Sequence, residues 1–435
     1  MYLIERHEVP LVAVALAVRS GADTDPPGRA GLASFTLDML DEGTKSRDAA
    51  SIARGFEDLG ARYNVQPDAD SAVLSLVALP DALAKSLEIF ADVALHPAFT
   101  ATDLARVKQE RLGQIAQALD DPATIGQHVL SRMIYGEKHP WGFPAEGTVK
   151  SIQALTRKDV AAWHAGAFRP SNAAIFVVGD VTAAQLEPLL SQRFGSWADS
   201  TAPKPRKHAL PKTGQRVVTL VDKPGAPQSQ IWIGEIGVAS ADKGVFAARV
   251  MNAILGGTFN SRLNGNLRSE HAYSYGAGSF FETHREAGPF IAEAGVVSDK
   301  TPEALSEFLR ELTRMQTGAV SDAELSDAKA ALVHEVPSRL TSDEQTAQAY
   351  ASVWAHGLPN DYYAHFEEHV EAVTQDDVAR AARDRLHPDK MAIVVVGPKA
   401  QIESGLSALH VGAIEFRDAT GEAAKAASAA ARSKP

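Results

Sequence analysis

Three features of the sequence predict an α+β fold of two similar domains, each an antiparallel-rich sheet covered by helices. The chain is long enough for more than one core, a stretch of its first half recurs in its second, and in each half strand-type alternation gives way to long amphipathic segments. At 435 residues it well exceeds the ~150 residues that one domain usually takes. Hydrophobic residues make up 45% and charged residues 22%, which is the profile of a chain with real cores and excludes a disordered one.

The first element read is a strand tail at Tyr2–Glu5, with Val9 to Val18 as its hairpin partner. On that reading the chain starts inside a hairpin. Met1 to Pro10 has neither a basic segment nor a small-residue cleavage site, so no signal peptide is read there. After helices come two strands near a hairpin, over 62–79, and long amphipathic helices near 81–119. The second half runs in parallel, with a strand at 228–236, a strand pair within 272–297 and long helices near 302–340. The recurring stretch closes each half. Residues 155–180 align without gaps on 373–398, so that Thr156 falls on Thr374, Val160 on Val378, Pro170 on Pro388 and Gly179 on Gly397. Both copies read as a Thr-capped helix, a proline break, and a buried strand ending in glycine. The domains expected are 1–197 and 215–418. A Pro- and Lys-rich linker (198–214) joins them, and an Ala-rich tail (419–435) follows.

Composition removes several functions. No apolar run reaches the ~18 residues of a membrane span. The net charge of −11 gives no footprint for nucleic acid. With no cysteine there are no disulfides, thiolate metal sites or cysteine nucleophiles.

Three constellations could carry chemistry. His365-Phe-Glu-Glu-His369 fits H-x-x-E-H, in which histidines four apart on a helix share a face and can bind zinc, with Glu368 as base. The chain ends before a distal carboxylate could follow, and the segment reads as an ordinary solvated helix. The second runs from Gly256 to Gly276: a Gly-Gly pair opens a helix (or forms a hinge), the helix carries Arg262 and Arg268, and a Tyr-Ser-Tyr-Gly strand follows. Arg268 and Tyr275 are donors suited to a peptide carbonyl or a developing oxyanion. Composition alone favours the plainer alternative, Arg268 paired with Glu270 and Tyr275 packed on a sheet. Third, Ala272 to Gly276 approximates a nucleophile elbow, but there a strand must lead into a helix, and here a helix leads into a strand.

The repeat, the Gly256-Gly-Thr-Phe-Asn-Ser-Arg-Leu263 stretch and the Leu267-Arg268…Tyr275 block together resemble the pitrilysin (insulinase-like, M16) peptidase family, most of all its small bacterial branch of paired half-clamp chains. The resemblance spans essentially the whole chain. It implies that the catalytic H-x-x-E-H should lie at Gly31-Leu-Ala-Ser-Phe-Thr-Leu-Asp38, with a distal Glu near 113–115. Here the first His position is Ser34, the Glu position is Leu37, the second His position is Asp38, and 113–115 reads Gly-Gln-Ile. One carboxylate cannot hold zinc alone, and leucine is no general base. By resemblance, Arg268 and Tyr275 fall on the pair that the partner half presents to the zinc site, which reverses the preference drawn from composition.

The expectation is therefore the zinc-less subunit of a heteromeric M16 metallopeptidase, inactive alone. It would hold no cofactor of its own. A zinc-carrying partner subunit and peptide substrates are its expected partners, in a heterodimer or heterotetramer. Two alternatives are a structural subunit like the core proteins of respiratory complexes and a peptide-binding module. The expected location is the periplasm, with the cytoplasm as the alternative.

Overall fold

The computed structural model describes residues 1–198, 208–211 and 214–424, so most of the expected linker and the tail beyond 424 lie outside the described residues. The first sheet is built from β1 (Tyr2–Glu5), β2 (Val12–Val18), β3 (Arg62–Pro67), β4 (Ala72–Ala78) and β5 (Ala173–Gly179), in the order β1-β5-β2-β4-β3. The second contains β6 (Val217–Asp222), β7 (Gln228–Ile236), β8 (Ser274–Phe281), β9 (Pro289–Val297), β10 (Ala392–Gly397) and β11 (Ala413–Arg417), in the order β11-β6-β10-β7-β9-β8. Apart from the extra β11 the two orders are the same.

The fold is the expected α+β pair of helix-covered sheets, with one correction at its start. β1 and β2 are not a hairpin. β5 lies between them, parallel to β1 and antiparallel to β2. The closing strand of the half supplies the hydrogen bonds that a β1–β2 turn was expected to provide, and β6, β10 and β7 repeat the arrangement. Capping is as the residues dictate. Thr156 and Thr374 accept from the backbone N–H groups of Asp159 and Asp377, whose carboxylates accept from the threonine N–H in return.

Strand β2 shows how the sheets are covered. Val12, Val14, Leu16 and Val18 face a core shared with Phe35, Phe90 and Leu87. Ala13, Ala15 and Ala17 face the other way, and they are buried too, beneath Ala347 and Ala351 of helix Asp343–Ala355 from the second half. The small residues let that helix lie close. Arg19 fastens its end by donating to the Trp354 carbonyl at 2.5 Å with its guanidinium 4.0 Å over the indole, and Arg6 pairs with Asp343 at 3.3 Å. The reciprocal contact is made by helix Pro122–Tyr135 of the first half, whose Ile125, Val129 and Leu130 pack on Trp232, Val394 and Val396 of the second sheet. Each half thus covers one face of the other's sheet.

Candidate functional site

Helix Leu32–Asp38 carries the positions where the family motif would lie. Gly31 starts it at φ +83°, and a Cβ there would sit 2.6 Å from the Gly147 backbone, so only glycine fits. The buried Asp25 carboxylate caps it, accepting from the N–H groups of Gly31 (2.7 Å) and Ala33 (2.8 Å). Burial pushes the Asp25 carboxyl up to about 7 against those bonds.

Arg111, on helix Ala101–Ala118 and only 5% exposed, reaches into this motif. One guanidinium nitrogen donates to Ser34 Oγ (3.0 Å) and to the Glu146 carbonyl (2.9 Å), and the other pairs with the Asp38 carboxylate. Ser34 in turn donates to the Ala145 carbonyl at 2.5 Å, and Leu37 is buried in the core. Burial raises the Asp38 carboxyl while Arg111 opposes the shift. The two positions where a zinc peptidase has histidines are therefore held together by a fixed side-chain cation. These residues do not fit a zinc ion, since Asp38 is the only strong ligand among them and is already ion-paired. Beside them opens a cavity of about 360 Å³ lined by Asp41, Glu42, Glu110 and Tyr63 and Asn64 of the outermost strand β3.

Sequence reading passed over Arg111 in favour of 113–115. Gln114 only lines the cavity and Ile115 belongs to the core. The signal was present, because Val107, Arg111 and Ile115 are spaced by four and form one buried stripe with a cation in the middle.

The second constellation lies at the start of the other sheet's outermost strand, β8. Contrary to expectation, Gly256-Gly257 closes a helix instead of opening one, at the end of the widened turn Ala253–Gly257. A Cβ on Gly256 would come within 2.4 Å of the Ser279 backbone nitrogen, so this glycine permits close packing of a helix end on β8. The next helix is short, Arg262–Asn264, and widens into a π-type segment, Gly265–Glu270. Such segments are frequent at functional sites. Ala272 then turns the chain at φ +55° into β8, where a bulge lies between Ser274 and Ala277.

Most polar side chains around this corner are engaged. Arg262 binds Glu324 through two nitrogens (2.7 and 3.1 Å), and Asn266 donates to Glu307 and Glu311. Asn264 bridges the Phe259 carbonyl and the Ala277 N–H, and Ser274 Oγ donates to the Gly295 carbonyl. Arg268 and Tyr275 are different. Tyr275 sits in the bulge and is 88% exposed, and the exposed Arg268 guanidinium lies 4.5 Å over the ring of Phe259, itself 71% exposed. Among the described residues Arg268 has no ion pair, with Glu270 or any other carboxylate. The arrangement leaves a guanidinium and a phenol facing solvent beside an open sheet edge.

At His365 the chain is not yet helical. The helix runs Phe366–Glu371, His365 pairs with Glu368 (3.1 Å), and His369 packs on Phe246 at 4.8 Å between ring centres. Among the described residues these groups do not form a cluster with metal-ligand spacing.

Two domain models match this chain: that of the insulinase (peptidase family M16) domain over residues 1–139 and that of the peptidase M16 inactive domain over 154–332. The crystal structure of a peptidase M16 inactive domain from Pseudomonas fluorescens is similar with a TM-score of 0.84 at 28% identity, over 91% of this chain and 95% of that one. An uncharacterized zinc protease of Rickettsia bellii is 23% identical over 89% of this chain and 92% of its own. A chain of Complex III2 from Candida albicans shares the fold, with a TM-score of 0.77 at 16% identity over 93% of this chain and 96% of that one. The chain belongs to the M16 peptidase family.

Proposed function

We propose that this chain is the non-zinc subunit of a heteromeric M16 metallopeptidase. It closes one side of the chamber and presents Arg268 and Tyr275 to the substrate carbonyl, while the zinc and the general base belong to the partner. The observation that carries this reading is that Arg268 and Tyr275 stay exposed and, among the described residues, without ionic or sheet partners, although most polar groups around them are engaged. Both are donors, and a guanidinium and a phenol aimed at an oxygen gaining charge in the transition state contribute more there than in the ground state. An extended peptide would pair with an outermost strand, where backbone N–H and C=O groups are unpaired.

The test mixes the purified full chain with a zinc-carrying M16 chain from the same source and follows an internally quenched peptide. Activity is expected only in the mixture, with kcat lowered about 10²- to 10³-fold by Arg268→Ala or Tyr275→Phe. Undiminished activity in the mixture with both variants would leave the chain a structural subunit. Activity without a partner would overturn the proposal outright.

A further inference from the structure

The tips of the two equivalent hairpins meet where the halves touch, and the end of the crossing helix Asp343–Ala355 meets them there. The β3–β4 tip brings Asp68 and Asp70, the β8–β9 tip brings His284, and the residue that ends the helix is His356. One potential ligand atom from each of these four lies within 4.8 Å of the other three. Asp70 is 2% exposed and His284 9%. The Oδ2 atom of Asp70 accepts from the Arg285 backbone N–H at 2.6 Å, but its Oδ1 has no donor. That oxygen faces His356 Nε2 at 3.6 Å, too far for a hydrogen bond, and this nitrogen also lacks a partner, as does Nδ1 of His284. Three buried polar atoms, on residues from three separate elements of this cluster, are thus left unsatisfied. Each is destabilising if nothing fills the gap, and native proteins seldom tolerate such a cluster.

We propose that these four residues bind one divalent transition-metal ion of the zinc class. Two imidazole nitrogens and two carboxylate oxygens form a four-coordinate donor set suited to zinc, whereas calcium or magnesium would call for oxygen ligands alone. A proton shared between Asp70 and His356 would satisfy those two and involve neither His284 nor Asp68, whereas a metal ion engages all four residues. The surroundings suit a held site: Trp141 packs on the His284 ring at 4.8 Å, His356 Nδ1 lies 3.5 Å from Ser352 Oγ, and Arg285 binds Asp23 at 3.0 Å and the Oδ2 atom of Asp70 at 3.3 Å, leaving Asp70 Oδ1 for the ion. Because Asp68 and Asp70 come from the first half and His284 and His356 from the second, the ion pins the angle between the halves. It is distinct from any zinc in a partner, and it adds a metal to a chain whose sequence predicted none.

The full chain is stripped with EDTA, titrated with zinc by calorimetry and, after dialysis, measured for metal content. One zinc per chain is expected, with a rise in Tm on zinc addition that EDTA reverses. Cobalt should give the visible bands of a tetrahedral site. The His284→Gln/His356→Gln chain should lose all three signals, and Asp68→Asn, at an exposed position that does not endanger folding, should weaken zinc binding at least tenfold. Failure to retain zinc would overturn the proposal and leave a His356–Asp70 ion pair only. Undiminished binding by the histidine double variant or by Asp68→Asn would also overturn it, by placing the ion elsewhere.

Discussion

The two corners of the molecule where the family's chemistry would be sought are built on opposite terms. In the first half, Arg111 binds both Ser34 and Asp38, so each of these groups has a partner within the fold. In the second, the fold engages Arg262, Asn264 and Asn266 but leaves Arg268 and Tyr275 facing water. Arg262 and Arg268 share one short stretch of chain, yet one is locked to Glu324 and the other rests only on an exposed ring. A side chain whose partners are internal serves the structure. One kept free beside a sheet edge is available to something outside.

The sharpest way to break this comparison is to exchange the expected readouts. On the proposed function, Arg268→Ala should lower turnover of the mixture with a zinc-carrying chain by about 10²- to 10³-fold and leave the stability of this chain within ~0.5 kcal/mol, as for an ordinary surface substitution. Arg111→Met should do the reverse. It strands Ser34, the Glu146 carbonyl and Asp38 together, and a urea titration of the isolated chain should lose about 3 kcal/mol, at the low end for a broken buried pair because Asp38 is partly exposed. A third substitution tests the helix crossing. A Cβ at Gly126 would lie 2.2 Å from the Trp232 ring, so Gly126→Ala should cost about 2 kcal/mol by overpacking, read from the same titration.

The smallest effect concerns Glu324. Its hydrogen bond to Arg262 holds the carboxyl down at about 2, below the ordinary 4.5. The folded pKa is the lower one, so this contribution is present in full above 4.5 and is lost as pH falls toward 2. Glu324→Gln should therefore lower stability by less than ~1 kcal/mol at neutral pH, since the half-exposed carboxylate is screened by solvent and the amide keeps one acceptor for Arg262. The gap from the parent chain should close as the pH of the titration is lowered.

Local patterns in the sequence anticipated the long helices, the capped Thr156 and Thr374 turns and most strands, because periodicity and capping depend on neighbouring residues. What depends on distant ones was not legible. Tyr2–Glu5 next to Val9–Val18 reads as a hairpin, and only the arrival of β5 between them changes that. The Val-Ala alternation of β2 reads as a half-buried strand, since nothing local shows that a helix from beyond residue 340 will cover the alanines. At the sites, the loss of the metal motif was readable at Ser34, Leu37 and Asp38. That Arg111 fills its place was not, because the contact joins residues 73 positions apart. The exposure of Arg268 was equally hidden, since Glu270 looked like its natural partner.

The crossed helices also bear on the order in which the chain is made. As the first half leaves the ribosome, the alanine face of β2 has no cover until helix Asp343–Ala355 has been synthesised, more than three hundred residues after the strand itself. Helix Pro122–Tyr135 emerges early and waits with its apolar side uncovered for Trp232, Val394 and Val396. Neither half can therefore finish its own packing before the other is nearly complete. Either half made without the other would expose an apolar helix and an uncovered sheet.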